Sequence, residues 1–197
     1  MAGIQGDALR TGGCDVPEVQ DKHFFHPHRK CELYSTLLES WGYDPLPQYW
    51  EAPESPVSTP ELYEKYRYIL ITGRRIPGFF HTENRQLPWL RELHRDPIVE
   101  IHPETAKKEG IQEGDSVVIE SPRGQVRQRA RLFEGMDPRI VSAEHGWWFP
   151  EKEDPEHGWA ESNINILTSN ACEHCDPAMG ATHIRTLLCR ISPEPRQ

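Results

Sequence analysis

Residues His102 to Leu132, HPETAKKEGIQEGDSVVIESPRGQVRQRARL, constrain the fold more than any other stretch of the chain. Pro103 belongs in a first helical turn, where its missing N–H would have no partner anyway. Glu104 then sits near the positive end of the helix dipole and Lys107 and Lys108 near the other, with Gly110 as the C-terminal cap. Gly114-Asp115 predicts a turn, Ser116 to Ser121 a strand, Pro122-Arg123-Gly124 a second turn, and Gln125 to Leu132 the returning strand of a hairpin. In that second arm Val126, Gln128, Ala130 and Leu132 share one face, and Arg127, Arg129 and Arg131 share the other. The alternation accounts for the arginine row as a solvated outer face.

The flanking sequence adds strands more readily than helices. Tyr68 to Ile71, PIVEI, IVSAEHGWWF and TLLCRIS each read as a strand, and PWLRELH as a brief helix. Leu33, Leu37, Leu38 and Trp41 have helical spacing, stopped by Gly42 and Pro45. Prolines at 45, 47, 53, 56 and 60 make the next stretch an extended strap, until Pro60 opens a helical turn at Glu61. Residues 1 to about 25 lack periodicity and read as a poorly ordered arm. The expected domains are therefore an N-terminal arm and strap with one short helix, 1–65, and a globular domain, 66–197. With 18 prolines in 197 residues a bundle of long helices is excluded. Short strands without free edges point to a closed barrel. A strand, a compact helix, a Gly-Asp turn and a hairpin in succession resemble the shared segment of the double-psi β-barrel. The expected fold is mainly β: an aspartate-decarboxylase-like double-psi barrel with short helices and an extended N-terminal arm.

The formal net charge of −9 disfavours nucleic acid and anionic membranes as partners, so any bound anion needs a local cluster of donors. No stretch has the apolar length of a membrane span, and the segment after Met1 lacks the basic start and apolar core of a secretory leader. The five cysteines, Cys14, Cys31, Cys172, Cys175 and Cys189, are unevenly spaced, and reduced thiols are the default reading. A cytoplasmic setting follows as the default for the chain as given.

Three polar clusters lie near strand ends. The first is Thr72, Gly73, Arg74 and Arg75 with His81 and Asn84. The second is His145, Gly146, Trp147 and Trp148. The third is Asn163, Asn165, Thr168 and Asn170, leading to Asp176, Gly180 and Arg185. Taken singly, each is ordinary loop or core chemistry. Together, paired arginines beside a glycine suit a pyrophosphate, because guanidinium forks match phosphate oxygens two at a time. Asparagine amides, with a donor and an acceptor, suit the edge of a fused heterocycle. The combination implies a nucleotide-like cofactor, and neither a Gly-x-Gly-x-x-Gly motif after a strand nor a Gly-Lys-Ser/Thr loop is present to hold one.

The order YILITGRR, HTENRQ, LRELHRDPIVEIHPETAKKEGIQEGDSVVIESPRGQVRQRARL, VSAEHGWWFPE, SNINILTSN and CDPAMGATHIR resembles the C-terminal molybdopterin-dinucleotide-binding domain of the dimethyl-sulfoxide-reductase family. These are molybdenum and tungsten oxidoreductases, among them formate dehydrogenases and polysulfide-type reductases. The resemblance covers about Tyr66 onward. The preceding KCELYSTLLESWGYDPLPQYWE is similar to the family's approach segment, although HPHRKCELYS departs from the usual Ser-Gly-Lys before Glu-Leu-Tyr-Ser. The resemblance implies a six-stranded double-psi barrel closing over molybdopterin guanine dinucleotide in its bis form, with molybdenum or tungsten held mainly by other domains. It places Thr72, Gly73, Arg74 and Arg75 by the phosphates and pterin, with His81 beside them. Glu144 to Trp148 lie on a strand facing the pterin, Asn163, Asn165 and Asn170 at the heterocycle, and Arg185 in the place of a basic pterin neighbour. The implied partners are the remaining domains of a catalytic subunit and an iron–sulfur subunit. The expectation is a fragment or domain that binds cofactor and is not catalytic alone.

Cys172-Glu-His-Cys175 offers at most three metal ligands, with no second Cys-x-x-Cys to close a tetrahedron. His23, His26, His28 and Cys31 are a weaker set, and no metal ligand is assigned. A self-cleaving pyruvoyl enzyme on the same barrel needs a Gly-Ser bond, which the sequence lacks. The alternative is a non-enzymatic double-psi barrel adaptor, which accounts for the segment from Glu100 to Ser121 but not for the polar clusters.

Overall fold

A computed structural model describes residues 33–73, 76–176 and 178–195. The predicted N-terminal arm, with Cys14, His23, His26, His28 and Cys31, lies outside the described residues, and so do Arg74 and Arg75. The chain forms two compact units that part between Tyr49 and Trp50. The described part of the first contains helix α1 (Thr36–Ser40), where the Ser35 hydroxyl accepts from the Leu38 N–H at 3.2 Å. Gly42, at φ +82, follows its end.

The second unit begins within the strap, at Trp50. Its anchor is Glu54, whose buried carboxylate pairs with Arg123 and accepts from the Leu188 N–H at 3.3 Å. Then follow α2 (Pro60–Lys65), β1 (Tyr68–Ile71), α3 (Pro88–Leu93), β2 (Ile98–Ile101), α4 (Pro103–Glu109), β3 (Ser116–Ser121), β4 (Gly124–Leu132), β5 (Ile140–Ala143) and β6 (Leu187–Pro193). Each of α2, α3 and α4 opens on a proline. Helix α4 ends at Gly110 in the left-handed conformation, φ +72, as its sequence predicts.

The six strands close a barrel in the order β1-β5-β2-β4-β3-β6. Two pairs are parallel, β1 with β5 and β2 with β4, and the other four are antiparallel. Exchanging β1 with β4, β2 with β5 and β3 with β6 maps each pair onto one of the same sense. This internal twofold relation is that of the expected double-psi barrel. Leu70, Val99, Ile101, Val117, Ile119, Val126, Ala130, Val141 and Cys189 fill the interior. Burial of a large aliphatic side chain contributes about 1.5–3 kcal/mol.

Not every inward residue is apolar. Gln128, 2 % exposed, donates to the carbonyls of Glu144 and Ser162 at 2.8 and 3.0 Å and accepts from the Glu144 N–H at 3.1 Å. For this reason the strand expected through Phe149 ends at Ala143. The Gln128 amide bonds both backbone groups of Glu144, and Gly146 at φ +71 turns the chain away from the sheet. Glu144, His145, Gly146, Trp147 and Trp148 therefore form a loop. Among the described residues no helix is long and apolar enough to cross a membrane.

Candidate functional site

The strand senses bring the predicted clusters to one end of the barrel. β1 and β5 run parallel, so the loops after Ile71 and after Ala143 leave side by side. β6 runs antiparallel to β1, so the segment ending at Arg185 and Thr186 enters at that same end. Loops at the carboxyl ends of parallel strands are a common place for a ligand.

Gly73 begins the first loop at φ +63, and a Cβ there would stand 2.8 Å from the Ser142 hydroxyl oxygen on β5. Thr72 is buried, and its carbonyl accepts from His145 Nδ1 at 3.4 Å. His145 Nε2 lies 2.9 Å from His81 Nδ1. Because the Thr72 oxygen can only accept, Nδ1 of His145 carries hydrogen. In the neutral pair Nε2 of His145 then accepts from His81, leaving Nε2 of His81 as an acceptor. The two loops are latched by this pair. Gly146 lies so close to the first loop that a Cβ would be 2.5 Å from the His81 carbonyl oxygen.

Beneath the latch is a residue that no sequence motif singled out. Arg85 is 0 % exposed, with Nε donating to the Gly146 carbonyl at 2.9 Å and one terminal nitrogen donating to the carbonyls of His81 and His145 at 3.0 and 3.3 Å. Its guanidinium stacks 4.0 Å from the Trp147 ring centre and 4.9 Å from that of Phe79. The other terminal nitrogen, Nη1, is buried without a hydrogen-bond partner among the described residues. Burial pushes the pKa of Arg85 down to about 10, so it remains a cation at neutral pH.

Trp147, fully buried, faces protein on every side and donates its indole N–H to Glu144 Oε2 at 3.0 Å. The same oxygen accepts from His94 Nε2 and the Ile98 N–H, both at 2.9 Å. Glu144 and Trp147 thus support the loop from within. Trp148 donates to the Thr82 carbonyl at 2.7 Å and forms a second tie between the loops. Asn163 is equally engaged, with its Nδ2 donating to the Trp147 carbonyl at 3.4 Å and its Oδ1 accepting from the Asn165 N–H at 3.1 Å. It caps a 3-10 turn, Ile164–Leu167. Arg123 Nε and the Ser121 hydroxyl both donate to the Leu167 carbonyl, at 2.7 and 3.2 Å, fixing that turn against the β3–β4 hairpin.

The remaining candidates sit further out. Asn84 adopts φ +66 and donates to the Gly78 carbonyl at 3.2 Å, a turn role. Asp176 accepts from the N–H groups of Ala178 and Met179 at 3.0 and 2.7 Å, which closes the turn before β6. Asn165, Asn170 and Arg185 are exposed. Cys175 donates to the Ala171 carbonyl at 3.4 Å and His174 Nδ1 lies 2.8 Å from the Ser169 hydroxyl, and among the described residues no three metal-ligating side chains converge.

Sequence reasoning missed Arg85, Gln128, Glu54 and His94. Gln128 had a signal, an amide on the apolar face of an alternating strand. The other three had none, because each has a partner 50 residues or more away in the chain that its own neighbourhood does not announce.

The family model described as the molydopterin dinucleotide binding domain matches residues 68–186. Dopamine dehydroxylase of Eggerthella lenta is 41 % identical over 172 residues, which is 85 % of this chain and 17 % of that protein. Acetylene hydratase of Syntrophotalea acetylenica is 33 % identical over 164 residues, 81 % of this chain and 22 % of that protein. The solved structure of acetylene hydratase from Pelobacter acetylenicus superimposes with a TM-score of 0.79 at 30 % identity, covering 85 % of this chain and 24 % of that one. The chain therefore spans about a fifth of the length of these relatives. From the matched residues and the shared barrel, the chain belongs to the molydopterin dinucleotide binding domain family.

Proposed function

We propose that this chain grips a pterin-guanine dinucleotide for a molybdenum or tungsten oxidoreductase whose other domains supply the metal ligand, and that it does no redox chemistry alone. The observation that carries this reading is the convergence of the loops after β1 and β5 at one barrel end, latched through His81 and His145. The donor set fits such a ligand. Arg85 places a buried cation at this end, with the Glu144 carboxylate near it and one terminal nitrogen without a partner among the described residues. Gly73 has no side chain to keep a phosphate from the backbone.

Two kinds of role follow. Thr72, Gly73, Arg74, Arg75 and His81 form the contact edge, with the arginine forks on phosphate oxygens and Nε2 of His81 as an acceptor. Asn165, Asn170 and Arg185, exposed around the rim, offer donors to a heterocycle. Asn84, Glu144, His145, Gly146, Trp147, Trp148, Asn163 and Asp176 hold the loops that present those groups. When bound, the cofactor supplies the metal's reactivity, and the chain supplies its grip and orientation.

The relatives' names run from dopamine dehydroxylase to acetylene hydratase. A shared grip on one cofactor fits both, so the choice of substrate belongs to the other domains. Those domains, and an iron–sulfur partner for electron delivery, are the partners this reading requires. The adaptor alternative leaves the latched polar loops without a purpose.

Anaerobic calorimetry with the dinucleotide released from a molybdoenzyme tests the reading. The wild-type chain should show weak, saturable heat, because on this reading other domains supply part of the enclosing surface, and Arg74→Ala should bind more weakly still. Absence of binding by the wild type would overturn the proposal, and equal heats for both proteins would remove Arg74 from the site.

A further inference from the structure

Arg85 is the largest charged side chain that the fold buries completely. It meets three carbonyls from two loops, those of His81, His145 and Gly146, and its guanidinium carbon lies over the rings of Phe79 and Trp147. We propose that Arg85 is the positioning residue of the dinucleotide site, one buried side chain whose fork bonds the loop after β1 and the loop after β5 into one binding edge beneath the His81–His145 latch. This inference rests on the reading of that barrel end as the dinucleotide grip.

The argument is one of geometry and cost. A planar fork can serve carbonyls from both loops at once, whereas an ammonium is a point donor on a flexible stem. A donor left buried without an acceptor, as Nη1 is, lowers stability, and an apolar residue would fill the same space without it. What only arginine supplies is the joined placement of the loops. Because the peptide units are trans, carbonyls drawn toward Arg85 turn the adjoining N–H groups the other way. The Thr82 N–H meets the Glu83 carboxylate at 3.1 Å in that orientation. Without Arg85 the three carbonyls need water, and the loops part to admit it.

The test uses the full 197-residue chain, amide hydrogen exchange and the same anaerobic calorimetry. In Arg85→Ala, exchange at residues 79–82 and 144–148 should rise roughly tenfold or more while the β3–β4 hairpin keeps its protection, and dinucleotide affinity should fall by a similar factor. Millimolar ethylguanidinium should restore both, since it refills the vacated space with the same fork. Arg85→Lys should keep the barrel but bind as weakly as the alanine variant. Wild-type affinity in either variant, or loop exchange unchanged in Arg85→Ala, would overturn the proposal. If Arg85→Ala does not fold, Arg85→Lys decides by the same two readouts. If the wild type binds no dinucleotide, the grip reading fails, and the exchange result alone judges whether Arg85 joins the loops.

Discussion

On the outer face of β4, Arg127 reaches Glu194 at 2.6 Å, Arg129 reaches Asp96 at 3.7 Å, and Arg131 pairs with Glu100. Arg85, at the loop end of the same barrel, is held by backbone carbonyls and two aromatic faces. The outer arginines need only a strand that alternates and a carboxylate within reach, and solvent screens each pair. Arg85 needs a carbonyl that arrives 61 residues later in the chain. The outward placement of the wall arginines is thus set by local alternation, although their carboxylates come from distant parts of the chain, whereas the placement of Arg85 is set by its distant partners themselves. That division predicts where substitution is costly.

The sharpest way to break the comparison is to remove the ring on which Arg85 rests. Trp147 is fully buried, stacks on Arg85 and donates to Glu144. Trp147→Ala should cost about 3–5 kcal/mol, measured as the change in urea unfolding free energy. A loss below about 1 kcal/mol would mean that the loop end is an ornament on a self-sufficient wall.

Next in size is the buried ion pair that ties the strap to the barrel. Glu54→Ala leaves Arg123 without its carboxylate and the Leu188 N–H without an acceptor, and should cost about 3 kcal/mol. Arg129→Ala on the outer face, by contrast, should cost at most about 0.5 kcal/mol. Similar values for the two variants would erase the distinction between buried and screened charge.

The same division explains what was legible in the sequence. From Ile98 to Leu132 every element was readable, because Pro103, Gly110, Gly114-Asp115 and the alternating arms of the hairpin act within a few residues of themselves. The closed barrel followed from the need to cover edges, and the sequence order pointed to the family. The strand after Ile140 was drawn too long because its end is decided by the Gln128 side chain. At the loop end, Gly73 and His81 stand out in the sequence by residue type, whereas Arg85 and Glu54 do not, since a charged residue in a polar stretch looks like any other until its distant partners are known.

Glycine substitutions sharpen the comparison within the loop end itself. Gly146→Ala sets a methyl 2.5 Å from the His81 carbonyl oxygen at φ +71, and backbone cannot yield as a side chain can. Gly73→Ala meets the Ser142 hydroxyl, which can rotate, at 2.8 Å and φ +63. Both carry the left-handed penalty of about 1 kcal/mol, but Gly146→Ala should lose about 2 kcal/mol in all and Gly73→Ala nearer 1. Thermal unfolding of the pair would show the order, and a larger loss for Gly73→Ala would place the tighter contact at the β1 side.

The smallest effect belongs to a local, exposed pair. Asp137 accepts from the N–H, Nε and Nη2 of Arg139 at 2.8, 2.9 and 2.8 Å, and these hydrogen bonds pull its carboxyl pKa down to about 2. A carboxylate whose folded pKa lies below its unfolded value of about 3.9 stabilises the fold above that value, and loses its contribution as pH falls through the folded one. The melting temperature of the wild type should therefore exceed that of Asp137→Asn slightly at pH 6, and the gap should close toward pH 2. Arg85 should behave differently. Its guanidinium, pushed down only to about 10, stays charged across that whole window, so no part of the wild type's own pH dependence between pH 2 and 6 should trace to titration of Arg85. A gap for Asp137→Asn that is as wide at pH 2 as at pH 6 would show that Asp137 acts through the shape of its turn and not through its charge.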